Sequence, residues 1–231
     1  MSDKFECRSC FARWFHAEID LVKIFTVAAV LSLGACSGGS PPSPPSSQPI
    51  VISMDPTRWA FQYSPNISAP GYAQDGWSFV FPIQDGAHYL VTGVSGYARG
   101  TITARYTLKE LSGNPVTWEW NRANNPCDYG AHASLYFQKR GDDFTDKNPS
   151  GRFFQKTWTR LEGLGTLSMT VPLDPDHWTN ILNQADPAGF AATTADLQTV
   201  GITFGGGCFA GHGLWTSSGT VLFTMESYKM E

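Results

Sequence analysis

Apolar and polar positions alternate along much of the chain beyond residue 70. From residue 101 to 108, Thr101, Thr103, Arg105 and Thr107 fall on one parity and Ile102, Ala104, Tyr106 and Leu108 on the other. A period of two sends successive side chains to opposite faces, so this stretch predicts a half-buried antiparallel strand with the second set inward. Strands are predicted in the same way over 77–83, 88–94, 116–120, 133–138, 166–171, 200–204 and 221–225. In the last, Val221, Phe223 and Met225 share a face. Gly, Asn, Asp and Pro between these runs supply turns. Two short helices are predicted: 175–183, with Asp174 as cap and Pro175 at the first position, and 187–195. Many short strands with few helices predict an all-β chain, an antiparallel β-sandwich of the jelly-roll kind.

The first fifty residues follow another pattern. Residues 24–33 form an apolar run of about ten residues, the length of a signal h-region and too short to span a bilayer. Lys23 precedes it, and Gly34 and Ala35 lead into Cys36. The run Leu33-Gly34-Ala35-Cys36 resembles the cleavage box of bacterial lipoproteins. The resemblance implies that residues 1–35 are removed and that Cys36 carries a diacylglyceryl group and an acylated amino terminus. Two or more acyl chains give a stable anchor, whereas one is marginal. Residues 1–22 hold Asp3, Glu6, Glu18 and Asp20 against Lys4, Arg8 and Arg13, unlike a signal n-region, which predicts a true start at Leu21 or Val22. Residues 37–49 are rich in Pro and Ser, and 36–49 are read as a lipidated cysteine on a semi-rigid tether reaching roughly 40 Å at ~3 Å per residue. Ser37 stands where inner-membrane lipoproteins carry Asp, so the resemblance implies the outer membrane of the bacterial cell envelope.

Residues 50–231 are enough for one domain with its own core. The chain is mildly acidic, with a net charge of −4 and no basic run. This excludes nucleic acid as a partner and any membrane contact beyond the lipid anchor. Charged residues are sparse at 16% and aromatics frequent at 13%, a composition for an exported β-rich domain and not for a disordered chain. Cys127 and Cys208 are expected to pair in an oxidising compartment, the alternative being two buried thiols.

The C-terminal third carries a second resemblance. Residues 167–178 (LSMTVPLDPDHW), 197–205 (LQTVGITFG) and 219–226 (GTVLFTME) are similar to the later strands of galactose-binding-like jelly rolls, which include the family 11 carbohydrate-binding modules. The shared order is an extended strand, a short helix, a strand with a glycine between apolar residues, a loop and a closing strand. The acidic pair that usually ends the family is absent here. The resemblance implies a carbohydrate-binding sandwich.

Seven of the eight tryptophans follow Cys36. An indole face suits the C–H face of a sugar ring. Trp118 and Trp120 lie two apart on a predicted strand, ~7 Å from one another on one face, a spacing that suits neighbouring sugars. Glu119 points to the opposite face. Residues 205–213 hold glycines at 205, 206, 207, 211 and 213 without the Lys of a phosphate loop. There His212, with Trp215 close by, is a candidate ligand contact, and Arg122 and Asp128 are candidate polar partners. Asp146, Asn148 and Ser150 have the spacing that opens a calcium loop, although Thr157 replaces the closing Glu. A structural Ca²⁺ is therefore the one cofactor weighed, and no other is expected. Neither G-x-S-x-G nor H-E-x-x-H occurs. The expectation is a lipid-anchored, non-catalytic protein that binds glycan. The alternatives are a small polysaccharide hydrolase or lyase and a structural envelope protein without a ligand.

Overall fold

The computed structural model describes residues 50–231, apart from 122–126, 128 and 209. The signal segment 1–35, Cys36 and the tether lie outside the described residues. In chain order the strands are β1 (Trp59–Gln62), β2 (Gly71–Ala73), β3 (Gly76–Val80), β4 (Tyr89–Gly96), β5 (Thr101–Glu110), β6 (Thr117–Trp120) and β7 (Ala131–Lys139). They continue as β8 (Arg152–Gln155), β9 (Thr159–Arg160), β10 (Gly165–Pro172), β11 (Trp178–Asn180), β12 (Leu197–Gly206), β13 (Leu214–Ser218) and β14 (Val221–Met230). One α-helix, α1 (Pro187–Thr194), precedes β12.

The first sheet runs β1-β4-β12-β7-β8-β11, with β9 also paired to β7. The second runs β10-β5-β14-β3-β2, and β13 and β6 form a separate ribbon. All their pairings are antiparallel. The long strands pass repeatedly from one sheet to the other: β4 lies in the first, β5 in the second, β7 and β8 in the first, β10 in the second, β12 in the first and β14 in the second. This is an antiparallel β-sandwich, as the alternation predicts.

The period of two is visible in burial. Ile102, Ala104, Tyr106 and Leu108 are buried, while the residues between them are not. The two sheets meet through aromatic rings. Phe204 of β12 meets Phe223 of β14 edge-on at 5.8 Å and Phe79 of β3 at 6.0 Å, while within the second sheet Phe223 stacks on Tyr106 and Phe79, each at 4.9 Å. Phe204 also meets Phe81, just beyond the end of β3, edge-on at 5.3 Å. Tyr228 reaches across the sandwich and donates its hydroxyl to the Gly201 carbonyl at 3.1 Å.

The predicted helix over 175–183 is a single turn, Pro175–His177, followed at once by β11. Its start is as expected: the Asp176 amide donates to Asp174 Oδ1 at 3.0 Å. The helix stops because Trp178 is fully buried and pairs with Gln155 of β8. Burying an indole contributes more than helix propensity can offer over two turns. The second helix forms as α1, capped by Asp186, whose Oδ1 accepts from the Gly189 amide at 2.9 Å. Cys127 and Cys208 form a disulfide across 81 residues, with Cα atoms 5.2 Å apart.

Candidate functional site

The strand β7 is buried on both of its faces. Ala133, Leu135 and Phe137 enter the core between the sheets. His132, Ser134, Tyr136 and Gln138 lie on the outer face, where a strand ordinarily meets water. Here that face is roofed. Tyr136, Phe154 of β8 and Val91 of β4 form a second apolar cluster, against which Tyr89, Phe144, Ile181 and Ala210 pack. The packing residues come from β4 and from three connecting segments that fold back over the sheet.

A polar network fixes the first of these segments. Arg152 Nε pairs with Asp142 Oδ2 at 2.8 Å, with the two side chains only 6% and 1% exposed. Gln138 donates to the same carboxylate oxygen at 2.8 Å and accepts from the Tyr136 hydroxyl at 2.9 Å. The Arg152 guanidinium also donates to the Thr145 carbonyl at 2.5 Å and lies 4.9 Å from the centre of the Phe144 ring. Between these anchors Phe144 is held at a φ of 61°, and Tyr63, whose ring centre is 4.8 Å from that of Phe144, has a φ of 54°. Left-handed backbone at an aromatic residue costs roughly 1–2 kcal/mol, and such outliers gather at ligand sites.

Three adjoining depressions cross this face. The first, of about 190 Å³, is lined among others by Tyr89, Arg152, Phe154, Trp158, Asn180 and His212. The second, of about 670 Å³, shares Tyr89, Phe144 and Arg152 with it and extends to Tyr63 and His88. The third, of about 370 Å³, shares Trp158 and adds Tyr129 and His132. Together they make a groove with an exposed tyrosine at either end, Tyr63 at 60% and Tyr129 at 53%. Trp158 stands between two of the depressions, with its indole stacked 4.2 Å from the His132 ring at an angle of 9°.

The groove is chemically neutral at its floor. Burial pushes the Tyr89 phenol up to about 12, although the Arg152 charge partly opposes this. Tyr136 is raised well above the ordinary value, again by burial. Both stay protonated and serve as hydrogen-bonding groups. Burial lowers the pKa of His212, and the neighbouring His88 lowers it further. His88 itself bonds Asp85 Oδ1 and the Gly211 carbonyl, each at 3.0 Å. A Cβ at Gly211, where φ is +77°, would lie 2.2 Å from the Tyr89 hydroxyl. That close approach explains why this loop carries glycine. Among the described residues, Asp85 and Asp146 line different depressions, and Asp142 is held by Arg152. None of these three depressions brings together, among the described residues, the two carboxyl groups used in glycoside hydrolysis.

The sequence candidates fare unevenly. His212 and Cys208 line the groove. Trp118 and Trp120 share a face as expected, but it is the inner one: they are 8% and 6% exposed and belong to the core. Trp118 meets Phe81 edge-on at 5.0 Å, and a Cβ at Gly206 would lie 2.2 Å from the Trp120 ring. Their indole faces are committed to protein packing and present no stacking platform. Trp215, on β13 beside Glu119, does not line the depressions described. Arg122 and Asp128 lie outside the described residues. Asp146 borders the groove, while Asn148 precedes the turn Pro149–Gly151 and Ser150 donates to Asp186 Oδ2 at 2.5 Å. Ser150 is thus engaged in tying that turn to the cap of α1.

The groove residues that sequence reasoning missed are Tyr63, Tyr89, Phe154, Trp158, His132 and Arg152, with Tyr136 buried in the cluster beneath them. Their one signal was the outward parity of β7 (His, Ser, Tyr, Gln), which carries a large aromatic in an otherwise polar stripe.

No family model matches the chain, and no curated protein does. Among solved structures, a xylan-binding module, CBM15, aligns at 15% identity with a TM-score of 0.36, over 76% of this chain and 95% of that one. A mutant Xylanase10C from Cellvibrio japonicus, in complex with xylopentaose, aligns at 15% identity with a TM-score of 0.32, over 73% of this chain and 26% of the xylanase. At such low scores, the assignment of the fold rests on the strand pairings above.

Proposed function

We propose that this is a carbohydrate-binding protein, non-catalytic and held at the outer membrane of the bacterial cell envelope by lipid on Cys36. The observation that carries the binding reading is the groove on the outer face of the first sheet, open along its length and walled by aromatic rings. Tyr63, Trp158 and Tyr129 offer ring faces and edges that suit the C–H faces of successive sugars. Between them Tyr89, Asn180 and His212 supply neutral hydrogen-bonding groups. A groove of this kind accommodates the interior of a polymer as well as its end. The buried Asp142–Arg152 pair holds the roof segment before ligand arrives, so little ordering remains to oppose binding. The anchor reading is supported by the Leu33–Cys36 sequence and by the Pro/Ser tether behind it.

The test is a binding screen with the full chain carrying Cys36→Ser, which removes the acylation site. Soluble polysaccharides, xylan among them, are run in affinity gels beside Trp158→Ala and Tyr63→Ala. Retardation of the parent by at least one polymer, weakened in both variants and unchanged in Thr103→Ala on the other sheet, is the expected result. Absence of binding to any polymer would overturn the glycan reading in favour of a structural protein. New reducing ends or unsaturated products in the same incubations would overturn its non-catalytic part.

A further inference from the structure

The Trp158 end of the groove differs in charge from the rest. Besides Trp158, Tyr129, His132 and Thr157, its depression is lined by Lys156 and Arg160, and by no carboxylate among the described residues. Two cations in so small a lining stand out in a chain with a net charge of −4. Arg160 closes β9 opposite His132 and is exposed, and its guanidinium has no hydrogen-bond or ion-pair partner among the described residues. Lys156 donates to the Asp176 carbonyl at 2.7 Å, which uses one of its three N–H donors. Among the described residues, neither Glu162, whose carboxylate lies against Gly130, nor Asp176 lines the depression. The His132 ring backs one side of the Trp158 indole and holds it in place between two depressions.

From this juxtaposition, and resting on the carbohydrate-binding reading above, we infer that the Trp158 end is a subsite for an anionic sugar. A pyranose laid on the indole keeps its C–H face on carbon and its charged substituent at the rim, where Arg160 and Lys156 stand. A guanidinium fork takes a carboxylate or a sulfate through two parallel hydrogen bonds, and the ammonium adds a point charge. The shared chemistry is an oxyanion on a sugar ring, supplied either by a uronate carboxylate or by a sulfate ester.

The experiment pairs charged polymers with matched neutral forms, using the full chain with Cys36→Ser. Homogalacturonan is compared with its full methyl ester, and a sulfated galactan with its desulfated form, by titration at low and at high salt. The expected result is a preference of about tenfold, about 1.4 kcal/mol, for the charged member of at least one pair. The preference shrinks at high salt and disappears in Lys156→Gln/Arg160→Gln, while that variant binds the neutral member as the parent does. A preference confined to one pair identifies the oxyanion. Equal binding of charged and neutral members, or a preference that survives the double substitution, overturns the anionic subsite and leaves the glycan reading intact. Binding of no member of either pair, nor of any neutral polysaccharide, removes both.

Discussion

An arginine–carboxylate pair lies on the outer face of each sheet, and these two pairs differ in almost every consequence. On the second sheet Arg105 Nε meets Glu226 Oε2 at 2.6 Å, with side chains 56% and 24% exposed, among a ladder of threonines in which Thr107 and Thr166 touch at 2.9 Å. On the first sheet Arg152 meets Asp142 at 2.8 Å, almost wholly buried beneath Phe144. The first arrangement is an ordinary solvated face. The second is a roofed face whose charge is spent on holding a loop. The parity of a strand tells which side chains leave the core, but it does not tell whether they reach water. That depends on whether the connections fold back, as the segments carrying Phe144, Ile181 and Ala210 do.

The sharpest way to break this comparison is to remove the same residue type from each face. Arg152→Leu leaves Asp142 buried and unpaired and is expected to cost about 3–5 kcal/mol, measured by urea unfolding. Arg105→Leu should cost less than about 1 kcal/mol in the same assay. Equal costs would mean that the roof segment is not held by the buried pair. Trp118→Ala belongs to the same scale, at about 3–5 kcal/mol, because it opens a cavity in the core.

Next in size is the disulfide. Cys127→Ser/Cys208→Ser is expected to lower stability by about 2–4 kcal/mol, with loop-closure entropy as the main cause in the chain-entropy model. Cys208 lines the groove, so the same variant should also weaken polysaccharide retardation in affinity gels, which Arg105→Leu should not.

The smallest effects are those of pH, and they separate the two regions by window. The Ser112 hydroxyl holds the Glu110 carboxyl down to about 2, aided by the amides of Ser112, Gly113 and Thr220. Between 4.5 and 2 the unfolded chain binds more protons at this site than the folded one. The Glu110 contribution is therefore complete above about 4.5 and lost as pH falls toward 2. His212 on the groove side is depressed below 6.5 by burial and by His88, so its contribution is present above 6.5 and lost as pH falls below it. Urea midpoints measured from pH 7.5 to 2.5 should fall in both windows. Glu110→Gln is expected to make the acid fall shallower without removing it, because Asp55, Asp143, Asp174, Asp186 and Glu226 are also held down by hydrogen bonds, and His212→Asn to act only on the neutral one.

Much of the sandwich was legible because its long strands obey the period of two, as the burial of β5 and β14 shows. The strands β1, β2, β8, β9, β11 and β13 were not, being two to five residues long and too short to declare a period. The tryptophan pair misled for a related reason. Trp118 and Trp120 share a face, and in a sandwich an apolar pair at that spacing turns to the core, where transfer from water favours it. Trp158 sits just ahead of β9, in a stretch without alternation. Only the pairing of β9 with β7 brings it against His132. No local pattern records that contact, because its two members are joined through the sheet and not through neighbouring sequence.

The most direct test of the groove is to watch the indole N–H signals of the tryptophans in a ¹⁵N-labelled chain while a polysaccharide that it retards is added. A ligand in the groove moves the Trp158 signal in proportion to occupancy while those of Trp118 and Trp120, packed in the core, stay in place. Movement at Trp118 or Trp120 with Trp158 unchanged would contradict it and return the binding face to the ribbon of β6 and β13.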